Sequence, residues 1–369
     1  IDADTGLVEG TPDAAGDYPL AVSYYFASES PDVLRHASVN FTVNPDPKKM
    51  WKSLPPPAGA PYRKADVDAA ALLDDTFRIV AASKRGRSHA HNGTFRDDDF
   101  RIAQPGNGWQ IAVLADGAGS AKFSRQGAAI ICEQASLRLT AALGAERGTL
   151  VDDAVATYQR DRPDAEEKAA LALRTVLASV VGNAAYYAAK GIMDECAAVR
   201  ETLQAVPKDY ASTALIAICK RYPFGTFSAA YWVGDGAVGV YSAQDGIALL
   251  GDVDSGEFSG QTRFLDANEV TQEALLRRTR FALSEHMTAL ILMTDGVSDP
   301  RFETDARLAR PGDWDALWSE LAPVLQPDDG APGQDQRLLD WLDFWSPGNH
   351  DDRTIAMITP VTPPNAAHV

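Results

Sequence analysis

Short apolar runs bounded by turn residues recur along most of the chain, and runs of this length predict buried β-strands. Between the second and third runs after residue 76 the apolar period becomes helical, because Ile131, Ala135, Leu139 and Ala142 recur at steps of three and four residues. A second helix is predicted to start at Pro163, ahead of an acidic cluster. Strands with helices inserted in this way, without βαβ alternation, predict an α+β fold. The predicted strands of this region are 77–82, 110–114, 213–219, 226–233, 238–241, 289–293 and 354–358.

Residues 1–44 have a different pattern, in which alternating segments at 18–26 and 37–43 are separated by Gly and Pro turns. Two short sequence segments of this stretch, Gly-Thr-Pro at 10–12 and Ala-Gly-Asp-Tyr at 15–18, resemble the end of a bacterial immunoglobulin-like repeat. The resemblance implies a small partial β-sandwich-like segment. The Pro-rich stretch over 45–75 shows neither period and is predicted to be a linker. A large domain over 76–360 and a tail over 361–369 complete the predicted organisation.

The composition of the chain indicates which classes of binding partner are expected. The chain of 369 residues has a formal net charge of −17, from 51 acidic and 34 basic residues. Because such a surface repels phosphate backbones, we expect no nucleic-acid partner. No apolar run approaches the roughly 20 residues of a membrane helix, so we expect no membrane partner and a cytoplasmic protein. The chain begins at Ile1 without leader-like residues, which we interpret as the start of a fragment.

Acidic residues stand directly at the ends of three predicted strands. Asp116 follows WQIAVLA, Asp295 follows TALILMT, and Asp351 begins the DD step before RTIAMI. A carboxylate beside a buried strand is costly unless it is paired, hydrogen-bonded or bound to metal. A single Asp-Gly step is an ordinary turn signal, but three such positions together predict a shared site for hard ions such as Mg²⁺ or Mn²⁺. Ions of this kind support the hydrolysis of phosphate esters.

Six ordered strings resemble the successive motifs of the protein phosphatase 2C family, with the first string most similar to a bacterial branch. They are RGRSHAHNGTFRDDDF at 85–100, LADGAGS at 114–120, STALIAI at 212–218, WVGDGAVGVY at 232–241, LMTDGVSD at 292–299 and DDRTIAMI at 351–358. The resemblance implies a four-layer α-β-β-α sandwich with two central antiparallel sheets. It also implies metal-dependent hydrolysis of phosphoserine and phosphothreonine in proteins, by a hydroxide that bridges two divalent ions, Mg²⁺ or Mn²⁺.

The resemblance assigns expected metal ligands. Asp116 corresponds to the carboxylate shared by both ions, and Gly117 to the residue that offers its backbone carbonyl. Asp295 and Asp351 correspond to the two carboxylates that complete the shell of the first ion. Asp97 stands where the family has Glu, or in this branch Gln, beside the second ion.

Three further aspartates have expected roles of other kinds. Asp98 corresponds to the family residue that orients metal-bound water, although the run of acidic residues over 97–99 allows a shift of one position. Asp209 resembles the extra carboxylate that holds a third, weaker ion in some members. Asp235, in a GDG step, is interpreted as a turn residue between two strands.

The residues that bind and protonate the phosphate are less sharply defined. The resemblance implies a phosphate-binding Arg ahead of the first acidic motif. Arg87 is the expected residue, because a planar guanidinium binds phosphate through two hydrogen bonds, and Arg85 and His89 are alternatives. Some members have His after the bridging Asp-Gly step, where this chain has Ala118. The general acid therefore stays open between His89, His91 and metal-bound water.

The resemblance implies a phosphorylated protein as substrate and a Ser/Thr kinase, or the target of that kinase, as functional partner. We expect a monomer. One alternative is a catalytically weak phosphatase-like module that binds or regulates, because Asp97 replaces Glu and the general acid is unassigned. Another alternative, an adhesion module, depends on residues 1–44 alone.

Overall fold

The computed structural model describes residues 5, 7, 9–253, 262–326 and 333–361. The chain divides into two compact units, Ile1–Leu54 and Pro55–Val369. The strands are β1 Gly16–Tyr24, β2 Arg35–Val43, β3 Val67–Leu73, β4 Phe77–Lys84, β5 Asp99–Gly106, β6 Trp109–Ala115, β7 Ala214–Tyr222, β8 Gly225–Val233, β9 Ala237–Ser242, β10 Gly246–Leu249, β11 Thr279–Ser284, β12 Ala289–Met293 and β13 Arg353–Pro360.

The helices are α1 Pro47–Met50, α2 Arg87–Asn92, α3 Ser124–Leu143, α4 Glu146–Leu177, α5 Asn183–Ala198, α6 Arg200–Leu203, α7 Gln272–Arg278, α8 Asp295–Phe302, α9 Pro311–Leu325 and α10 Gln334–Trp341. A π-helical turn, Ala178–Gly182, joins α4 to α5. Two 3₁₀ turns, Pro207–Tyr210 and Asp305–Ala309, precede β7 and α9.

The first unit contains a two-stranded antiparallel ribbon. β1 and β2 pair in register from Gly16 opposite Val43 to Tyr24 opposite Arg35. The alternating apolar side chains of the ribbon stay largely exposed, at 44% for Val22 and 53% for Phe41. The described part of this unit contributes no residue to either hydrophobic core of the protein. The partial sandwich expected from the sequence stays a prediction.

The second unit is built on two antiparallel sheets. One has the strand order β10-β9-β12-β13-β4-β3, and the other has the order β11-β8-β7-β6-β5. Successive side chains of β6 point to opposite faces of the five-stranded sheet. Ala112 and Leu114 belong to the core between the two sheets, whereas Ile111 and Val113 belong to the core formed with α3, α4 and α5. Helices α9 and α10 cover the other sheet. The predicted four-layer α-β-β-α sandwich is therefore confirmed.

One sequence expectation needs correction. The linker predicted over 45–75 contains β3, which pairs with β4 along its whole length, so residues 67–73 belong to the sheet. The helix predicted to start at Pro163 agrees with the structure to within a few residues. The span Glu146–Leu177 consists of two helices joined across a kink at Ala165, where φ is −152° and ψ is 53°, and the second helix follows that residue. Pro163 removes one backbone donor and crowds the turn before it, so the first helix ends close to this proline.

The helical run Glu146–Ala198 has the length and composition of a membrane-spanning helix, with a mean hydropathy of 1.3 in its most apolar window. Half of that window is buried inside the protein. Leu173, Leu177 and Val181 pack there against the five-stranded sheet. The expectation of no membrane partner stays a prediction.

Candidate metal centre

Three carboxylates meet where strands of both sheets end. Carboxylate oxygens of Asp116, Asp235 and Asp295, one from each residue, lie within 4.8 Å of one another, and we call these residues the Asp116 group. Asp116 follows β6 directly, Asp295 is the first residue of α8 after β12, and Asp235 lies in the turn between β8 and β9. The two facing sheets thus deliver these side chains to one place.

Hydrogen bonds of the backbone fix the position of Asp116. Its N–H donates to the Thr213 hydroxyl at 2.9 Å, and its carbonyl accepts the Ser212 hydroxyl at 2.6 Å and the Thr213 N–H at 2.8 Å. Gly117 forms a β-bridge with Ser212. A Cβ added at Gly117 would lie 2.8 Å from the backbone of Ser124, so only glycine allows this close approach.

The nearby charges that act most strongly on the Asp116 group are negative. Burial raises the pKa of Asp116 well above its usual range, and Asp98 and Asp295 raise it further. Burial likewise raises the pKa of Asp295, with Asp235 and Asp351 as the largest charges. Ionised carboxylates in such surroundings need a cation to remain stable.

The run of acidic residues over 97–99 is separated by the structure into three environments. Asp98 is fully buried, and one of its oxygens accepts the hydroxyls of Thr294 at 2.8 Å and Thr354 at 2.7 Å. Burial, followed by the charge of Asp352, raises the pKa of Asp98 to about 7. Asp97 has a pKa of about 6, raised mainly by burial. Asp99 forms an ion pair with Lys64 at 2.9 Å. Asp98 is thus the member of the run whose charge acts most strongly on Asp116.

A second acidic cluster adjoins the first, and we call Asp351, Asp352 and His89 the Asp352 group. Asp352 is 2% exposed and accepts the N–H of Gly86 at 2.6 Å, together with the N–H groups of Asp97 and Asp98. The His89 ring nitrogens lie 3.4 Å from Asp352 and 3.6 Å from Asp351.

His89 is the basic residue of the Asp352 group. Its Nδ1 lies 2.6 Å from the Phe95 carbonyl, which can only accept, so Nδ1 carries a proton and Nε2 faces Asp351. Burial lowers the pKa of His89, but Asp352 and the Phe95 carbonyl raise it by more, and the net shift is upward. The Asp352 group therefore contains a basic residue whose protonated form its carboxylates favour.

The remaining predicted residues are engaged elsewhere. Arg87 donates to the carbonyls of Phe344 and Asp343 and to the Asp343 carboxylate, and Arg85 binds Asp66 and the His89 carbonyl. These contacts hold residues 85–92 to the neighbouring segments, and a phosphate role for either arginine stays a prediction. Helix α2 places His91 two residues beyond His89, and its role as an acid also stays a prediction.

Asp209 has a structural contact of its own. Its carboxylate accepts the Val206 N–H at 2.9 Å and closes the turn Pro207–Tyr210, while its carbonyl accepts the Phe123 N–H. This contact gives Asp209 a role without metal, and the third-ion role stays a prediction.

Two carboxylates of the site have roles that the sequence interpretation did not assign. Asp235 was interpreted as a turn residue, but the structure places it in the Asp116 group, with its other contact a hydrogen bond from the Thr262 hydroxyl. Its Gly neighbours gave the stronger signal for a turn. The sequence interpretation gave Asp352 no role, but its carboxylate accepts the N–H groups of residues 86, 97 and 98. The Asp-Asp step before a buried strand was its only sequence signal.

Comparison with known proteins gives a family match. A model of the family described as protein phosphatase 2C matches residues 85–343. None of the curated proteins matches the chain. Among solved structures, serine-threonine phosphatase 2C from Toxoplasma gondii is 12% identical, with a TM-score of 0.46 over 80% of this chain and 99% of its own. The catalytic domain of the phosphatase PstP, in complex with 2 manganese ions, is 16% identical, with a TM-score of 0.40 over 78% and 99%. RsbX in complex with magnesium is 11% identical, with a TM-score of 0.40 over 80% and 100%.

Proposed function

The chain belongs to the protein phosphatase 2C family, and we propose that its Asp116 group is the metal centre of an enzyme that hydrolyses phosphoserine and phosphothreonine in proteins. One observation carries this proposal. Three strand-end carboxylates have oxygens within 4.8 Å of one another, and the charges that most strongly raise their pKa values are other carboxylates. Such an arrangement is stable in its ionised form when cations bind to it.

The donor set fits hard divalent ions. Its members offer carboxylate oxygens, which Mg²⁺ and Mn²⁺ prefer. One oxygen of Asp295 and one of Asp98 are buried with no hydrogen-bond partner among the described residues, so each has a free lone pair. We assign Asp116, Asp235 and Asp295 as the central donors, bordered by Asp351 and Asp98. When bound, two such ions lower the pKa of water and neutralise charge on a phosphoryl group.

The protein's own residues complete the site. The Thr294 and Thr354 hydroxyls hold Asp98 in one rotamer, so that its free oxygen is available to orient a water molecule. His89 holds a proton on Nδ1, and its raised pKa keeps Nε2 protonated over a wider pH range beside Asp351. We assign His89 as the residue that supplies a proton to the leaving oxygen of serine or threonine.

The substrate proposed for this site is a phosphorylated protein. We further propose that a Ser/Thr kinase, or the target of that kinase, is the functional partner, and that the protein acts as a cytoplasmic monomer. The family supports the phosphorylated protein substrate, and the partner, location and oligomeric state extend the expectations drawn from the sequence.

The test is a metal titration against a phosphothreonine peptide, with release of phosphate as the measurement. Wild-type protein is expected to be active with Mn²⁺ or Mg²⁺, and Asp116→Asn is expected to reduce the rate by about 10²-fold or more. Asp194→Asn, at an exposed position of α5, is the matched control and is expected to retain full activity. Wild-type protein that is inactive with both ions would contradict the proposed enzyme.

The alternative function is a phosphatase-like binding module without turnover. Asp97 has one methylene fewer than the Glu of the family, and Ala118 offers no proton where some members have His. The same titration separates the two functions, because such a module would be stabilised by Mn²⁺ against unfolding and would release no phosphate.

A further inference from the structure

A short segment ahead of the family match is fastened beside the metal centre, and we call residues 61–64 the Tyr62 segment. The family model matches from residue 85 onward, so the family assigns no role to this segment. Tyr62 has a φ of 54°, in the left-handed region that is costly for residues other than glycine. A strained backbone of this kind persists where surrounding contacts determine it, and such positions cluster at functional sites. The contacts of Tyr62 therefore indicate what the segment does.

The Tyr62 hydroxyl lies in a chain of three hydrogen-bonding groups. It donates to a Glu195 carboxylate oxygen at 2.7 Å, and it lies 2.8 Å from the Tyr210 hydroxyl. Because a hydroxyl has one proton, Tyr210 is the donor of the second bond. Tyr210 is fully buried, and a buried hydroxyl that loses its partner is costly. Tyr62 therefore supplies the acceptor that the Tyr210 hydroxyl needs.

The Pro207–Tyr210 turn supports the loop between β6 and α3. The Asp209 carbonyl accepts the Phe123 N–H at 2.6 Å, and the carbonyl of Ala211, which follows the turn, accepts the Ala118 N–H at 3.0 Å. Both contacts use backbone carbonyls and are separate from the Asp209 carboxylate, which closes the turn. The chain of hydrogen-bonding groups therefore ends on the turn that holds this loop in place.

Packing joins Tyr62 to the start of α3 as well. Its ring meets the Phe123 ring edge to face, with the centroids 5.4 Å apart. Ser124, the first residue of α3, lies so close to Gly117 that a Cβ added at the glycine would be 2.8 Å from it. Gly117 directly follows Asp116 and is the expected carbonyl ligand. Tyr62 therefore packs on the helix turn that encloses the metal centre at Gly117.

Arg125 connects the Tyr62 segment to the run of acidic residues over 97–99. Its guanidinium donates to the carbonyls of the first two residues of the segment, at 2.7 Å each. The same guanidinium lies over the Phe95 ring, 4.7 Å from the centroid, and Phe95 precedes Asp97 by two residues. The Asp97 carbonyl oxygen is 3.0 Å from the position of a Cβ added at Gly117. The segment is therefore linked to both loops that carry carboxylates of the site.

We propose that Tyr62 is a positioning residue of the metal centre, which sets the affinity for Mn²⁺ or Mg²⁺ by fixing the loop around Gly117 and the residues before Asp97. The inference rests on the proposed function, because it concerns the ions of that site. Loss of a group that orients metal ligands without contacting the ion lowers metal affinity by about 10- to 100-fold. A high concentration of the ion restores the ordered loop by mass action. Loss of the Tyr62 hydroxyl is therefore expected to change metal affinity and not the rate at saturating metal.

Calorimetric titration of metal-free protein with Mn²⁺ tests the inference without turnover. Tyr62→Phe keeps the ring contact with Phe123 and removes both hydrogen bonds of the hydroxyl. Its dissociation constant for Mn²⁺ is expected to be about 10-fold higher than that of wild-type protein. An unchanged dissociation constant in Tyr62→Phe would overturn the inference.

Tyr222→Phe is the matched control, because it removes a hydrogen bond of the same kind. The Tyr222 hydroxyl donates to the Asp152 carboxylate at 2.6 Å. Tyr222 is the last residue of β7, roughly 30 Å along the strand from Thr213, which bonds Asp116. Thermal unfolding with a chelator is expected to show lower stability for both variants, whereas only Tyr62→Phe loses affinity for Mn²⁺. An equal loss of Mn²⁺ affinity in Tyr222→Phe would mean a general effect of stability and would overturn the inference.

Kinetics with a phosphothreonine peptide separate this inference from the proposed function. Tyr62→Phe is expected to need about 10-fold more Mn²⁺ for half of its maximal rate, while kcat and KM at saturating Mn²⁺ stay within about 2-fold of wild type. A lower kcat at saturating Mn²⁺ with unchanged Mn²⁺ affinity would contradict the positioning role. Absence of phosphate release from wild-type protein contradicts the proposed function, while calorimetry still decides whether Tyr62 sets the affinity. Wild-type protein that binds no Mn²⁺ contradicts both.

Discussion

The Asp116 group and the Asp352 group both contain aspartates next to strand ends, but the protein compensates their charges differently. Asp352 accepts three backbone N–H groups and lies 3.4 Å from His89. Asp116 and Asp295 lie beside carboxylates, and their pKa values are raised by burial and by those neighbours. We infer that a strand-end aspartate serves as a metal ligand where the fold leaves its charge uncompensated, and as a structural anchor where backbone N–H groups compensate it.

The comparison also explains the division of roles along the chain. Asp351 and Asp352 are adjacent residues, yet the first acts on the charges of the Asp116 group and the second fastens the backbone of residues 86, 97 and 98. Both carboxylates lie near His89, and the Asp351 carboxylate also accepts the N–H of Asp352 at 2.8 Å. We infer that one residue of this Asp-Asp step supports the loop while the other borders the proposed metal centre.

Exchange of one carboxylate in each group is the strongest test of this difference. Asp295→Asn is expected to reduce phosphate release by about 10²-fold or more, and to raise the free energy of unfolding of the metal-free protein because one uncompensated charge is removed. Asp352→Asn is expected to lower the free energy of unfolding by about 2–3 kcal/mol, since buried N–H groups lose a charged acceptor. Denaturant unfolding in the presence of a chelator measures both effects.

Asp194→Asn serves as the control for both exchanges and is expected to change neither quantity. If Asp295→Asn and Asp352→Asn change the free energy of unfolding by the same sign and size, the charges of the two groups are compensated in the same way.

The sequence predicted the interior of the fold better than its borders. All seven strands predicted in the second unit are interior strands, whereas the four that were missed, β3, β5, β10 and β11, are the edges of the two sheets. Interior strands are buried on both faces and appear as continuous apolar runs. Edge strands carry polar and exposed residues, as in DFRIAQPG of β5, because their outer side is open to solvent.

The site was predicted to a similar extent. Asp116, Asp295 and Asp351 were predicted as ligands because an acidic residue next to an apolar run is conspicuous, and the structure brings the first two together while Asp351 lies in the Asp352 group. Asp235 was not identified, because its partners Asp116 and Asp295 come from distant parts of the sequence and only the packing of the two sheets brings them together. Hydrogen bonds to Thr294 and Thr354 distinguish Asp98 from its neighbours, and no local pattern contains them.

The pH dependence of stability gives a second, smaller test. The pKa values of Asp98 and Asp97 are raised to about 7 and about 6, so in the metal-free protein each binds its proton more tightly when folded than when unfolded. Their contribution to stability is present at low pH and is lost as the pH rises through these values. Metal-free protein is therefore expected to be more stable at pH 5.5 than at pH 8 by roughly 2 kcal/mol.

Saturating Mg²⁺ is expected to reverse this order, because protons compete with the ion for the same oxygens. Asp98→Asn isolates the effect, since this variant should lose most of the dependence in the metal-free state. Thermal unfolding at the two pH values, with chelator and with Mg²⁺, gives the measurement. If the stability of the metal-free wild type does not change with pH over this range, the carboxylates of the site are not uncompensated.

Asp209 provides the smallest and most discriminating test, because it belongs to neither group. Its carboxylate closes one turn by accepting the Val206 N–H, so Asp209→Asn, which keeps a carbonyl acceptor, is expected to cost about 1 kcal/mol or less of stability. Phosphate release and its Mn²⁺ dependence are expected to stay within about 2-fold of wild type, since a turn cap adds nothing to metal affinity. A shift of the half-saturating Mn²⁺ concentration by about 10-fold would instead identify Asp209 as the ligand of a third ion, because loss of one carboxylate ligand costs affinity on that scale. The uncompensated carboxylates of the site would then extend beyond the Asp116 group, and charge compensation by a backbone N–H alone would no longer separate an anchor from a ligand.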